Sequence, residues 1–198
     1  MASMKARINK DLSIMKSSPP PGVSCWPTDE SDLTALTARV EGPPDTPYSA
    51  GIFILSVQFG DRYPFAPPSV RFITPVYHPN IDAQGRICLD TLKSKPMGSW
   101  SPAVSLSAML TMIRCLLESP NPDDGLMPDV TEHYRRDLEG FENEARRRVG
   151  VEANEVMARR VTEKAENSVK QTVKRKEVDE EKKIDDDDDN NNNKKQKL

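Results

Sequence analysis

Apolar residues recur at helical intervals near the start of the chain. Met4, Ile8, Leu12 and Met15 fall on one stripe, which predicts an amphipathic helix over 3–16. Pro19, Pro20, Pro21 and Gly22 end it. The pattern then shortens to strand-like runs. "GIFILSVQF" (51–59) is apolar, β-branched and aromatic, the make-up of a buried strand. "LTALTARVEG" (33–42) and "SVRFIT" (69–74) are shorter candidates, Cys25 and Trp26 fall on another, and turns rich in Pro, Gly and Asp separate them. Helical spacing returns at Leu106, Leu110, Ile113 and Leu117, with Ser105 placed to cap a helix over 106–118. A short helix is expected over 129–138. A longer one is expected over about 139–168, packed near Phe141 and solvated further along. A helix, then a run of strands, then helices predicts an α+β fold with an antiparallel meander rather than alternating βαβ units.

Composition divides the chain in two. Up to about residue 140 it holds aromatics and aliphatic runs; after about 150 it has no Phe, Tyr, Trp or Pro. Residues 151–198 carry 12 Lys/Arg and 13 Asp/Glu and end in "KKIDDDDDNNNNKKQKL". Such a segment cannot bury enough apolar area to offset its ordering entropy. The reading is therefore a folded domain over 1–150 and a charged extension over 151–198, partly helical and then disordered, dispensable for chemistry from about residue 170. Net charge is only -3, which names no partner and gives no reason to expect direct nucleic-acid binding. There is no run of 18 apolar residues, and "MASMKARINKDLSIMK" has no long apolar core, so neither a membrane span nor a secretory signal is expected. The basic clusters "KRK" (174–176) and "KKQK" (194–197) suit either nuclear import or charge balance against neighbouring acids. The expected location is nuclear and/or cytoplasmic.

The candidate chemistry rests on cysteine. Three widely spaced cysteines, Cys25, Cys88 and Cys115, argue against a disulfide framework and for a reducing compartment. A free cysteine is most often a small buried hydrophobe, and Cys25 and Cys115 are read that way. Cys88 follows a polar turn, "YHPNIDAQGRICLD" (77–90), which predicts the partial exposure of a reactive thiol. Its usual activators are missing nearby. His133 lies in "TEHYRRDL", which reads as an exposed helix with no orienting Asn after it. His78 and Cys88 do not make a metal site. A cysteine with no dedicated base suits carriage of an acyl group as a thioester, later attacked by an amine. Asn80 is then a candidate donor to the oxyanion, though it equally suits a turn after Pro79.

"HPN" (78–80), seven intervening residues and Cys88 in "GRICLD" resemble the active-site signature of ubiquitin-conjugating enzymes. "YPFAPPSVRFITPVYHPNI" (63–81), "WSPAVSLSAMLTMI" (100–113) and "PNPDDGLM" (120–127) agree in order and spacing, so the resemblance covers about residues 3–150. "PPPGVSCW" (19–26) resembles the T-type subfamily, which is linked to monoubiquitination in DNA-crosslink repair. The resemblance implies that family's fold: an N-terminal helix, a four-stranded antiparallel meander and C-terminal helices. It implies that Cys88 takes ubiquitin from the activating enzyme as a thioester, that Asn80 holds the loop and polarises the thioester or its oxyanion, and that His78 and Pro79 support the loop. Asp124 falls where the family places an acidic gate that orients an incoming lysine. Gly125 stands where the family often has Pro, which predicts a looser gate. The first helix, through Lys5, Arg7 and Lys10, would meet the activating enzyme. Phe65, Pro102 and Ala103 would meet a RING-type ligase, while Trp100 packs in the core. The implied partners are ubiquitin, the activating enzyme, the ligase and protein lysines. No cofactor is implied, ATP being used by the activating enzyme. The insert "LKSKPMGS" (92–99) lacks the long acidic insertion of some members. A conjugating enzyme for another ubiquitin-like modifier remains open, as does a non-catalytic ubiquitin-binding adaptor; Cys88 itself speaks against the latter.

Overall fold

The computed structural model describes residues 2–29, 31–154, 157–160 and 162–163. The expectations for "KRK", "KKQK" and the chain from about residue 170 lie outside these. Helix α1 spans Ala2–Ser17, and strands β1 (Val23–Asp29), β2 (Asp32–Glu41), β3 (Ile52–Gln58) and β4 (Ser69–Phe72) follow. Helices α2 (Leu106–Glu118), α3 (Pro128–Arg136) and α4 (Leu138–Glu152) close the order. The strands form one sheet in the order β1-β2-β3-β4, each pair antiparallel. This is the α+β meander that the order of a helix, a run of strands and then helices predicts.

The core lies on one face of this sheet. Leu36, Ala38 and Val40 of β2 and Phe53, Leu55 and Val57 of β3 are fully buried at every second position, the two-residue period of a strand with one face inward. Met4, Ile8 and Met15 of α1 are buried in the same cluster, with Leu12 packed at its edge. From α2 come Leu106, Met109, Leu110, Ile113 and Leu117. Ser105 caps α2 through its side-chain oxygen, which accepts the Ala108 N–H at 3.1 Å and satisfies one of the orphan donors of the first turn.

Two expectations need correction here. Cys115 is exposed, not buried. It shares an outward stripe of α2 with Ala108, Thr111 and Glu118, one or two residues out of step with the buried set, so an apolar-looking neighbourhood in sequence did not place it inside. The helix over 139–168 is not continuous. It stops at Ala153, whose carbonyl turns to accept the Ile52 N–H of β3 at 2.7 Å. The Asn154 side chain then accepts the Met157 N–H at 3.0 Å and opens a further helical stretch. Ala153 and Ala158 are buried, so packing runs beyond residue 150, within a compact unit of Met1–Thr162.

Candidate active site

The segment leading to Cys88 is shaped by a tight reversal. The buried Asp82 carboxylate accepts the N–H groups of Gln84 (3.0 Å) and Arg86 (2.9 Å) and pairs with the Arg86 guanidinium. Gly85 completes the turn at φ +74°, and a Cβ there would lie 1.9 Å from the Phe72 carbonyl oxygen, so only glycine fits. The reversal brings Cys88 back beside the upstream loop, where its N–H donates to the Asn80 carbonyl at 2.9 Å. That backbone contact sets position 80 beside the thiol, whatever its side chain.

His78 holds this loop from below. It is fully buried; its Nδ1 accepts the Asn80 N–H at 3.0 Å and its Nε2 bonds the Leu116 carbonyl at 2.9 Å. Burial lowers its pKa to about 4, the Leu116 carbonyl opposing, so the ring is neutral near pH 7 and has no free nitrogen for proton transfer. The Pro79 carbonyl accepts the N–H groups of Leu126 (2.8 Å) and Met127 (3.2 Å). Asn80, 1% exposed, bridges to the loop that contains Asp124. Its amide nitrogen donates to the carbonyls of Asn121 (2.7 Å) and Asp124 (2.9 Å), and its oxygen accepts the Asn121 N–H at 2.8 Å. An amide has two N–H donors, and both are engaged. Of the two roles expected of Asn80, the geometry displays the holding of the loop: its amide braces the segment that carries Asp124, and in this arrangement both of its protons are used there rather than aimed at an oxyanion.

Gly125 does not leave the gate untethered. The bonds from Pro79 and Asn80 fix the loop on both sides. Thr131 fills the space beside Gly125, where an added Cβ would meet its Oγ1 at 2.3 Å. A side chain at position 125 would therefore have to displace Thr131.

Cys88 is 8% exposed, more covered than its polar surroundings in sequence suggest. The cover is two charged side chains. Asp124 Oδ2 lies 2.8 Å from Cys88 Sγ, and Lys93 Nζ lies 3.1 Å from Sγ and 2.9 Å from the same Oδ2. The carboxylate and the amine are 49% and 34% exposed, so the sulfur sits one side chain beneath solvent. Burial raises the Cys88 pKa, as does the hydrogen bond to Asp124, while Lys93 pulls it down. The bonds from Cys88 and Lys93 hold Asp124 below the usual carboxylate range, and the bonds to Cys88 and Asp124 raise Lys93. Lys93 was not foreseen. Its only signal in sequence was its place five residues after Cys88, and it is the short 3-10 turn Asp90–Leu92 that swings it back over the thiol.

The remaining cysteines and histidine lie apart from this chemistry. Cys25 is half-buried on β1, and burial together with Asp11 pushes its thiol up to about 12. His133 Nδ1 is hydrogen-bonded to the Tyr77 hydroxyl at 2.9 Å, not to Cys88.

The candidate partner surfaces divide unexpectedly. Phe65 is 79% exposed, and Pro102 and Ala103 are exposed with it. The two loops are tied by buried Trp100, whose Nε1 donates to the Pro64 carbonyl at 2.8 Å. Lys5 and Lys10 are exposed on α1. Arg7 is not simply presented there. It pairs with buried Asp11 and donates to the carbonyls of Pro102 and Val104, each at 2.7 Å, so it orders the loop beside Phe65.

Comparison with known proteins agrees with this geometry. The family profile described as "Ubiquitin-conjugating enzyme" matches residues 7–149. A ubiquitin-conjugating enzyme E2 T of Danio rerio is 47% identical over 130 residues, 66% of this chain and 66% of the relative. The proteins of the same name from Homo sapiens and Xenopus laevis are 44% and 45% identical over 141 and 142 residues. Those alignments cover 71% of this chain and 71% of the human relative, and 72% of this chain and 73% of the frog relative. With its profile match spanning the whole sheet and the thiol site, the chain belongs to the ubiquitin-conjugating enzyme family, transferases that work through a thioester, and is similar to its T-type members.

Proposed function

We propose that Cys88 is the residue of this chain that receives ubiquitin from the activating enzyme, and that the thioester so formed is attacked by a lysine amine of a protein substrate. The observation that carries this reading is the contact of Cys88 Sγ with the Asp124 carboxylate at 2.8 Å, in a site where a primary amine already lies against both. An acceptor lysine placed there would have its amine held by Asp124, which takes the proton released as nitrogen attacks the carbonyl carbon; the C–S bond then breaks and Cys88 leaves as a thiolate that regains a proton. Asn80 and His78 serve by holding Asp124 and the thiol in register. Donation by Asn80 to the oxyanion would require it to release Asn121 or Asp124 first.

Phe65, Pro102 and Ala103 are the proposed landing for a RING-type ligase, an exposed ring between rigidly tied loops being a natural anchor. Lys5 and Lys10 are the proposed steering charges for the activating enzyme; Arg7 supports the ligase loop instead. On the strength of the T-type similarity, the biological setting proposed is nuclear monoubiquitination in DNA repair. Incubation with activating enzyme, ATP and either ubiquitin or a related modifier, followed by a non-reducing gel, tests the reading. A thiol-sensitive adduct with ubiquitin supports it; an adduct with another modifier alone, or with none, overturns it.

A further inference from the structure

Lys93 is built into the thiol site rather than draped over it. Its N–H donates to the Asp90 carbonyl at 3.0 Å and its carbonyl accepts the Trp100 N–H at 3.1 Å. Gly98 packs directly against it, since a Cβ there would lie 2.3 Å from Lys93 Cβ and 2.5 Å from the Asp90 and Lys93 carbonyl oxygens. The loop thus closes on itself with the lysine backbone fixed, and the ammonium reaches both the sulfur and the carboxylate that competes for it. The other charged groups near this cluster are accounted for. Asp90 lies 3.7 Å from the ammonium, on its far side in sequence from Asp124. Asp123 is paired with Arg135 at 2.6 Å. His78, behind the loop, has both ring nitrogens bonded to backbone.

We propose that Lys93 is a catalytic residue of the charging step: its ammonium stabilises the Cys88 thiolate, and it must then yield Asp124 to the acceptor amine in the transfer step. The inference rests on the thioester reading above. In charging, the Cys88 S–H bond breaks and its proton passes by way of Asp124 to water. The thiolate attacks the thioester carbonyl carbon held by the activating enzyme, the new C–S bond forms, the old one breaks, and the departing thiolate takes a proton from water. Negative charge rests on Sγ before that exchange, so a cation 3.1 Å away favours the reactive form. Once Cys88 is acylated its sulfur is neutral, and charge returns to Sγ only when the C–S bond breaks in transfer and Cys88 departs as a thiolate. In transfer Lys93 therefore acts both ways: it favours the departing thiolate and it holds the carboxylate that an incoming lysine needs. Removing Lys93 should therefore slow charging more than discharge and displace the pH profile of the thiol, which a merely structural role would not produce.

The test uses the full chain as wild type, Lys93→Met, Lys93→Arg and Asp124→Asn. Iodoacetamide alkylation is followed at the Cys88 peptide as a function of pH. Near neutral pH, Lys93→Met should react roughly 3–10-fold more slowly, the scale of losing one close, partly exposed charge, with its profile displaced to higher pH. Lys93→Arg should restore most of the wild-type profile, and Asp124→Asn should displace it to lower pH. Single-turnover charging of Lys93→Met should slow by a similar factor and recover at alkaline pH. Discharge of its preformed thioester to free lysine, read as the lysine adduct, should be slowed less than charging, because loss of the cation beside the departing thiolate is offset by release of Asp124. An alkylation profile identical to wild type overturns the proposal, as does discharge slowed as much as charging. A wild-type protein that does not charge on Cys88 overturns the thioester reading instead, while alkylation, which needs no modifier, still decides the effect of Lys93 on the thiol.

Discussion

Asn80→Ala separates a brace from an oxyanion donor. The substitution removes three hydrogen bonds, two donated to the Asn121 and Asp124 carbonyls and one accepted from the Asn121 N–H. At roughly 0.5–1.5 kcal/mol net for each, the loss is about 1.5–4.5 kcal/mol, toward the upper end because the partners stay part-buried and unpaired. In a domain of this size that lowers the melting temperature by roughly 3–18 °C. Asp124 is no longer held against Sγ, so discharge to free lysine should fall about 10–100-fold, less than the ~100–10,000-fold of losing a proton acceptor outright because Asp124 is displaced rather than removed. Charging should fall less, because the thiol keeps Lys93. The measurements are a thermal or urea unfolding curve and the two half-reactions in single turnover. If Asn80 worked only as an oxyanion donor, discharge would drop ~100–1,000-fold with no loss of stability. That outcome would refute the brace. Asn80→Asp sharpens the comparison, since it keeps the acceptor for Asn121 but sets a carboxylate against two carbonyls; it should be no more stable than Asn80→Ala.

Other consequences are more local. His78 has its pKa lowered to about 4 in the fold, so between that value and the ordinary ~6.5 the unfolded chain binds the extra proton. Stability is then lost as pH falls, by about 2 kcal/mol from His78 between about pH 7.5 and about pH 5, and urea midpoints across that window should fall toward acid; a flat response contradicts the buried neutral ring. Phe65→Ala should leave charging intact and weaken ligase-stimulated discharge by at least ~10-fold, the scale of losing an aromatic anchor; undiminished stimulation in a ligase titration moves the ligase surface elsewhere. Ser105→Ala removes the cap of α2 and should cost about 1 kcal/mol, or roughly 2–4 °C in a melting curve, with both half-reactions retained.

Where local pattern decides structure, the sequence was a sufficient guide. The stripe Leu106, Leu110, Ile113, Leu117 with Ser105 before it yields α2 with its expected bounds, because cap chemistry and helical period act within a few residues. The run at 51–59 becomes β3, a central strand of the sheet, because a dense β-branched apolar segment has few other ways to be buried. What escaped depends on tertiary position. Cys115 lies in an apolar sequence but on the outward side of the helix, and the difference is a matter of angle rather than composition. The helix after Phe141 has no strong breaker at Ala153; what ends it is a hydrogen bond to Ile52 about a hundred positions earlier. At the site, the family resemblance singled out Cys88 and Asp124, two residues that the structure brings within 2.8 Å of each other. The use of both Asn80 protons was not, because it depends on carbonyls about forty residues away. Lys93 was hidden because lysines in surface loops are common, and only the fold of the 90–100 loop directs this one to the sulfur.

The central claim is that Cys88 carries the acyl group. The most direct measurement is charging of wild type, Cys88→Ser and Cys88→Ala with activating enzyme, ATP and ubiquitin, resolved on gels with and without thiol reductant. The account predicts a reductant-sensitive adduct for wild type, a slower reductant-resistant oxyester for Cys88→Ser and no adduct for Cys88→Ala, with Cys25→Ser and Cys115→Ser behaving as wild type. A reductant-sensitive adduct on Cys88→Ala would contradict it.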